Sequence, residues 1–399
     1  MNKFIQDKKI KEIDKFLYES YKKVNMYKYL TPTNLLEENS KFLEKYKAGV
    51  EYNPTYLYKD IKDVDVNTIL NEILKYRDEL NKIGSESDNN QSIKREIRML
   101  EDLENMIYLS NNIGNEDSKV KIYSKKIYGE PDKKLIEKAK MVLEKDYKDR
   151  EICSHNAKEV KELFEQILKE IDLKWKINVN KVQSSKISVI PEEKVININE
   201  KVMFSDNDLK RLAVHEIGTH VLRAEYGSNQ PYKMFSIECG SALYTEEGLA
   251  TINEEEYNVL DKKTFRLYAG RVVAVSECMN KSFYDVFKLL INYFNPEEAL
   301  SIVSRIKRGI KYTKNPNAFV KDYIYLDGYN KVKKFLETHE KKNLYTGITG
   351  LNEIDEINSL VKKGIIKQGD VLNIDRVMQH FVWRFKKYCK SIIVMLNYI

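Results

Sequence analysis

The sequence predicts an α+β chain that is predominantly helical and contains one small antiparallel sheet. Apolar residues recur at helical spacing through the first part of the chain. The alternation typical of strands is confined to residues 175–198, and helical periodicity returns from residue 241 onward. We therefore expect an N-terminal helical region over residues 1–150 and a second domain over residues 151–399.

Within the N-terminal region, apolar residues around Ile13 and Ile73 repeat at helical spacing. Residues 52–56 are predicted to be an extended or turn segment, because the residue before a proline is disfavoured in the helical conformation. Polar runs at residues 84–91 and 111–117 are predicted loops. This region offers little obvious chemistry, and we expect it to act as a helical cover.

A turn at residues 128–132 is predicted to lead into a helix at Leu135. A further helix is expected near residues 157–171. The alternating stretches 175–179 and 187–198 then indicate two or three antiparallel strands.

Ser205 and the acidic residues after it are typical of a helix N-terminus. We therefore expect a helix to begin there, directly after the strands. The elements predicted after residue 241 are helices at 282–293, from Pro296, at 354–361 and at 374–388, with a loop at 347–350.

The composition indicates a globular protein without a membrane span. The chain has 399 residues, of which 42% are hydrophobic and 32% charged, so it can bury a sizeable core. No apolar run approaches the roughly 18 residues that a transmembrane helix needs, and the start lacks the features of a signal peptide. The four cysteines, Cys153, Cys239, Cys278 and Cys389, are far apart and form no CxxC pair. We expect reduced thiols, no membrane association and a cytoplasmic location.

The net charge of +7 does not by itself indicate a nucleic-acid partner. Lysines are interleaved with Glu and Asp along most of the chain, as on solvated helix faces. No recognisable nucleic-acid motif accompanies the charge, so we expect no nucleic-acid role.

Two histidines and a glutamate in one apolar segment predict a metal site. His215 and Glu216 are followed by His220, so the histidines are five residues apart. On a regular α-helix they would point about 140° apart, too far to share an ion. A π-turn would restore their alignment, and Gly218 is the natural place for it. We therefore predict a π-bulge or a break between the two histidines.

A catalytic zinc usually has three protein ligands and one open position. Glu247, in the next apolar segment, is the predicted third ligand, and Glu246 is the alternative. Gly248 and Ala250 would let this second helix approach closely. Glu216 would be the general base, since zinc lowers the pKa of its water to about 7.

The remaining histidines, His155, His339 and His380, lack a comparable setting and are expected to be structural or exposed. His380 lies in an apolar stretch and could contact a metal ligand without binding the metal itself. Cys239 lies between the two ligand segments, where a buried inert thiol is the simpler expectation.

These segments resemble a known family, the QEGLA-motif metallohydrolases with an HExxxH signature. Residues 215–220 (HEIGTH) and 246–250 (EEGLA) carry the two motifs. Residues 128–131 (YGEP) resemble the family's YGxP turn, and residues 318–328 resemble its AFTKD and YLxG segment. Eukaryotic members include the microtubule-associated tyrosine carboxypeptidases, which remove the C-terminal tyrosine of α-tubulin. The resemblance covers about residues 120–370.

The resemblance implies a zincin-like metallopeptidase fold, with His215, His220 and Glu247 as zinc ligands and Glu216 as catalytic base. The chain departs from the family pattern in three places. Glu246 stands where many members have glutamine, residues 315–317 (NPN) replace a glycine pair, and Val320 replaces a threonine. Microtubule binding is not implied, because the first hundred residues match no known segment.

A carboxypeptidase also needs a cation for the terminal carboxylate and a donor for the oxyanion. The candidates for substrate binding are Arg271, Arg305 and Arg308. Lys321 and Tyr325 are preferred as catalytic partners because they fall in the family-like segment, with Tyr323 as the alternative oxyanion donor.

The most specific hypothesis is a zinc carboxypeptidase that removes a C-terminal residue, such as tyrosine or another aromatic, from a peptide or protein. A sheet edge within residues 187–198 would hold that peptide by strand addition. A zincin-type endopeptidase or aminopeptidase, and a non-catalytic metal-binding protein, stay open as alternatives. The sequence does not indicate the oligomeric state.

Overall fold

The computed structural model describes residues 3–59, 64–86, 90–145, 147, 152–180, 185–369 and 376. Helices dominate its N-terminal region, as predicted. They are α1 (Lys3–Lys23), α2 (Tyr27–Leu30), α3 (Leu35–Lys47), α4 (Val66–Glu86), α5 (Asn90–Ser110), α6 (Val120–Tyr128) and α7 (Lys133–Leu143).

The predicted irregular segments of this region are mostly confirmed. Residues 52–56 interrupt the helices and contain an isolated bridge between Thr55 and Tyr312, and residues 111–117 lie mostly in turns. Gly129, with a φ of 76°, follows the end of α6, and the Asp132 side chain caps α7 by accepting from the Leu135 N–H. The loop predicted at 84–91 is too long, because α4 continues to Glu86 and α5 begins at Asn90. The two helices pack against each other, and this packing extends them into polar sequence that alone favours a loop.

Two small sheets follow. The strands are β1 (Cys153–His155), β2 (Lys176–Asn180), β3 (Ile187–Ile190), β4 (Val195–Asn199) and β5 (Phe204–Ser205), with helix α8 (Ala157–Glu170) after β1. β1 pairs with β5, a pairing that the sequence did not reveal.

The larger sheet has the order β2-β4-β3 and is mixed rather than antiparallel. β3 and β4 form an antiparallel hairpin, but β4 pairs with β2 in parallel. β4 contains two fully buried isoleucines, Ile196 and Ile198, so it takes the central position between the other two. Only β3 is therefore an edge within the predicted stretch 187–198.

The histidine segment is a single long helix with a π-helical centre. It comprises α9 (Asp206–Leu212), a π-helix (Ala213–Val221) and α10 (Leu222–Ser228). Ser205 and Asp208 form a capping box at its start, which confirms the predicted N-terminus.

Helices account for most of the remaining described chain: α11 (Gly240–Glu256), α12 (Lys262–Cys278), α13 (Phe283–Leu290), α14 (Pro296–Ile306), α15 (Ile324–Leu336) and α16 (Ile354–Lys362). Short 3-10 turns lie at Pro191–Glu193, Lys233–Ser236, Val320–Tyr323, Lys341–Tyr345 and Leu351–Glu353. The helix predicted at 374–388, which includes His380, lies outside the described residues, apart from residue 376.

Buried apolar side chains from Ile13 to Ile366 form one continuous cluster, so both predicted regions contribute to one core. The division at residue 150 stays a prediction. No helix in the described ranges is both long and apolar enough to cross a membrane. Cys153, Cys239 and Cys278 form no disulfide there, as expected, and Cys389 lies outside those ranges.

Candidate metal centre

The π-helix brings His215 and His220 to the same side of their helix. Their Nε2 atoms lie 3.3 and 3.8 Å from the same oxygen, Oε2 of Glu247. The three potential ligand atoms lie within 4.8 Å of one another. The predicted π distortion between the histidines is therefore confirmed.

Side chains from distant parts of the chain support the π-helix. A π-turn changes which backbone groups pair, so its carbonyls need other donors. The Tyr345 hydroxyl donates to the Gly218 carbonyl at 3.0 Å, and the Thr219 hydroxyl donates to the Val214 carbonyl at 3.1 Å. Asn253 donates to both hydroxyls at 2.8 Å. Tyr345 and Asn253 carried no signal that sequence analysis could use.

Helix α11 carries Glu247 and crosses α15 at two glycines. A Cβ on Gly248 would lie 2.3 Å from the Gly328 carbonyl carbon, and one on Gly328 would lie 2.0 Å from the Tyr244 carbonyl oxygen. Neither position has room for a side chain. Gly248 thus permits a close approach between two helices, as predicted. The helix that α11 approaches at this glycine is α15.

A carboxylate and an arginine stand behind each histidine. His215 Nδ1 lies 2.7 Å from Glu254, which also accepts from Arg211 at 3.1 Å. On the other side, His220 Nδ1 lies 3.0 Å from Glu246. Arg223 in turn donates to Glu246. Because a carboxylate accepts, each Nδ1 carries a proton, and each Nε2 faces Glu247.

Glu246, the alternative ligand, therefore holds His220 rather than sharing the position of Glu247. Glu254 was missed by sequence analysis. It follows Glu247 by seven residues, which is two turns of helix, so a carboxylate on the same face was a usable signal.

The donor set has the composition that zinc sites use, with two imidazole nitrogens and one carboxylate oxygen. Tetrahedral ligands about 2 Å from an ion lie about 3.3 Å apart, close to the separations found here. Glu247 Oε2 is buried and has no hydrogen-bond partner among the residues that the structure describes. A buried carboxylate oxygen without a partner is costly, and a cation at this point would stabilise it.

The electrostatics of this cluster are strongly coupled. Burial alone lowers the pKa of His215, but the neighbouring carboxylates of Glu247 and Glu254 raise it to about 10. Burial raises the pKa of Glu247, but the neighbouring imidazole of His215 and the charges of His220 and Lys321 lower it to about 2. The site therefore balances positive and negative charge, and a dication would take the place of protons on the imidazoles.

Glu216 and Tyr325 line the same cleft as the two histidines. Burial raises the pKa of Glu216, which suits a base that works near neutral pH. Burial also raises the pKa of Tyr325 well above its ordinary value, so its phenol stays protonated and can donate. The Tyr325 ring stacks on Tyr268 with centroids 4.9 Å apart.

The predicted cations have different surroundings. Arg305 and Arg308 line the cleft but pair with buried Asp322, at 2.7 and 3.3 Å. Arg271 lies against the Tyr325 ring, 4.7 Å from its centroid, and is not among the cleft-lining residues. Lys321 lines the cleft, and no carboxylate in the described chain forms an ion pair with it.

The cleft has a volume of roughly 400 Å³ and is bordered by β3 on one side. The N-terminal region contributes more to it than expected, through residues 21–31 together with Met106 and Tyr128. Residues 21–31 and Met106 were missed by sequence analysis because they share no motif, whereas Tyr128 belongs to the family-like turn at 128–131. Cys239 also lines the cleft, although its sulfur does not belong to the converging group.

The other described histidines lie elsewhere in structural roles, as expected. His155 bonds Asp206 at 2.7 Å, beside the start of α9. His339 stacks on Phe335, with ring centroids 4.2 Å apart.

Comparison with known proteins gives a consistent result. The sequence pattern of the family described as microtubule-associated tyrosine carboxypeptidase matches residues 41–385. The microtubule-associated tyrosine carboxypeptidase 1 of Mus musculus is 31% identical over 137 residues, which is 33% of this chain and 28% of that protein. The protein of the same name from Rattus norvegicus is 29% identical over 170 residues, 40% of this chain and 34% of that protein. The chain thus aligns with about a third of the length of these relatives.

Proposed function

Because the chain belongs to the family of microtubule-associated tyrosine carboxypeptidases, we propose that it is a zinc-dependent carboxypeptidase. Its substrate would be the free C-terminus of a peptide or protein, with tyrosine the first residue to test. The observation that carries the proposal is the convergence of two Nε2 atoms on the partnerless oxygen of Glu247, inside a cleft.

His215, His220 and Glu247 would hold the zinc. When bound, zinc supplies Lewis-acid chemistry, polarising the scissile carbonyl and lowering the pKa of water. Glu254 and Glu246 would keep both imidazoles in the required orientation, since each bonds an Nδ1 atom.

Glu216 would take a proton from the attacking water and pass it to the leaving amine. The support for this role is its position in the cleft next to His215 and its raised pKa. Tyr325 would donate to the oxyanion that develops on the carbonyl oxygen.

Lys321 is the preferred partner for the terminal carboxylate. Arg305 and Arg308 already form ion pairs with Asp322. Burial raises the pKa of Asp322, but the charges of the two arginines hold it well below its ordinary value, so this carboxylate stays charged and keeps both arginines paired. A cation without an ion-pair partner needs no prior bond to be broken when a carboxylate arrives.

The free edge of β3 would bind the peptide backbone by strand addition. Ile187–Ile190 lie along the cleft, and β4 covers only one edge of this strand. Strand addition uses main-chain hydrogen bonds and so tolerates many sequences, which leaves selectivity to the groups around the terminal residue.

A peptide pair that differs only at its C-terminus tests this proposal. Zinc content is measured for the unmodified protein and for His220→Ala, and cleavage is then measured with a free carboxylate and with its amide. We expect one zinc per chain, none in the variant, and hydrolysis of the free acid alone. Equal cleavage of acid and amide would refute the carboxypeptidase, and unchanged activity in Glu216→Gln would refute this catalytic base.

An aminopeptidase is the second candidate, because further carboxyl groups, those of Glu192, Glu193 and Glu238, also line the cleft. Glu192 and Glu238 lie there, and burial raises the pKa of both, that of Glu238 to about 7. Such groups could bind a substrate amine. Cleavage that depends on a free N-terminus and is lost on N-acetylation would favour this function.

A further inference from the structure

One wall of the cleft comes from a segment outside the region that matches the family. The match begins at residue 41, whereas Tyr21, Met26 and Tyr27 are among the cleft-lining residues of segment 21–31. We call this segment the N-terminal wall. It carries none of the motifs that identify the family.

The N-terminal wall is anchored in the core. Val24, Met26 and Leu30 are buried, with Leu30 completely inaccessible. The Tyr21 hydroxyl donates to the Met99 carbonyl on α5 at 3.0 Å. These contacts hold the segment in place as a fixed part of the cleft.

Tyr27 connects this wall to two family-like segments. Its hydroxyl lies 3.1 Å from the hydroxyl of Tyr128. Its ring lies under the Lys321 ammonium group, 5.0 Å from Nζ to the ring centroid. Burial raises the pKa of Tyr27 well above its ordinary value, so the ring stays a neutral phenol.

The contact with the ring matters because lysine is flexible. A lysine side chain loses rotamer entropy when it is fixed in one orientation. A ring that already holds the ammonium reduces the part of this loss that falls on substrate binding. It also leaves the Nζ hydrogen atoms available, because a cation–π contact uses no acceptor atom.

We propose that Tyr27 is a positioning residue, which holds Lys321 in the orientation that binds the substrate's terminal carboxylate. Selectivity for a free C-terminus would then depend on a residue that precedes the family match. The inference rests on the proposed function.

The test measures binding, so that it does not depend on turnover. Zinc-loaded Glu216→Gln protein is titrated against a fluorescein-labelled Gly-Gly-Ala-Ala-Tyr peptide and against its C-terminal amide. The readout is the ratio of the two dissociation constants. The variants are Tyr27→Leu and Tyr27→Met, which remove the ring, and Tyr27→Phe, which keeps it. Tyr29→Leu is the matched control, because Tyr29 lies on the same wall but does not line the cleft.

We expect the preference for the acid to fall about 2- to 30-fold in Tyr27→Leu and Tyr27→Met, the range that a cation–π contact supports. Tyr27→Phe and Tyr29→Leu should keep the original ratio. Two variants remove the ring, so the experiment can still be read if one of them fails to fold. The zinc content of each variant is measured to verify that its metal centre is intact.

The two possible failures are distinguishable. If the unmodified site prefers the acid and the preference survives removal of the ring, the role of Tyr27 is refuted while the proposed function stands. If the unmodified site binds acid and amide equally, the carboxylate site itself is refuted, and this inference falls with it.

Discussion

The carboxylate behind His215 offers the sharpest test of the proposed metal centre. Replacing Glu254 by Gln keeps an oxygen that can accept from Nδ1 of His215 but removes the negative charge. That charge also faces Arg211, at 3.1 Å. The variant therefore separates the orientation of the imidazole from its basicity.

The expected effect is a loss of zinc affinity. Carboxylates that hold a ligating histidine typically contribute 10- to 100-fold to metal affinity, or about 1.4 to 2.7 kcal/mol. Glu254→Gln should lie near the lower end, about tenfold, because the bond to Nδ1 survives. Glu254→Leu should lie near the upper end and should also lower stability by about 3 kcal/mol, because buried Arg211 loses a partner.

Zinc affinity is measured by competition with a chromophoric chelator at pH 7.5, and stability by thermal melting of the apo protein. Glu255→Gln is the control, because Glu255 is the neighbour on α11 and bonds Tyr329 and Lys333 near the surface. If both Glu254 variants kept the affinity of the control, the carboxylate would not support the metal ligand, and our account of the centre would be wrong.

Three further predictions concern the scaffold. Burial raises the pKa of Glu96 to about 8, and neither carboxyl oxygen has a partner in the described part of the chain. The raised pKa of this carboxyl group stabilises the fold fully below pH 4.5, and this stability is lost as pH rises through 8. The free energy of unfolding should therefore fall by on the order of 5 kcal/mol over this window, melting temperatures measured across it should fall with it, and Glu96→Gln should flatten the profile. Gly248→Ala should cost about 3 kcal/mol or more in a denaturant titration, because its Cβ would overlap the Gly328 backbone; an unchanged midpoint would contradict the tight crossing. Tyr345→Phe should lower the free energy of unfolding by about 1 to 3 kcal/mol and weaken zinc binding, because the Gly218 carbonyl loses its donor. Calorimetry measures the first change and chelator competition the second, and the absence of both would contradict this role of Tyr345.

The distortion of the histidine helix was predictable because it follows from local geometry. Residues five apart cannot face one point on a regular α-helix, whatever surrounds them. The capping box at Ser205 and the turn that ends at Asp132 are equally local, since each depends on residues within one helical turn. Such features depend on short spacings that can be recognised directly in the sequence.

The predictions that were wrong, the antiparallel sheet and the length of the loop at 84–91, depend on contacts between separate elements and not on local spacing. The position of β4 between its neighbours depends on which strand the rest of the molecule covers, and alternation alone does not express this. The continuation of α4 to Glu86 depends on packing against α5. Both outcomes depend on contacts between elements, which are a property of the assembled structure.

The sequence by itself therefore determined that His215 and His220 share one helix and that a π-turn is needed for both to face one point, which is the basis for proposing them as ligands. Only the tertiary structure decided that Glu254 stands behind one histidine and that Tyr27 lies beneath Lys321, almost three hundred residues later in the chain. The physical reason is that short spacings constrain backbone geometry directly. Contacts between distant segments depend instead on how apolar faces pack into one core.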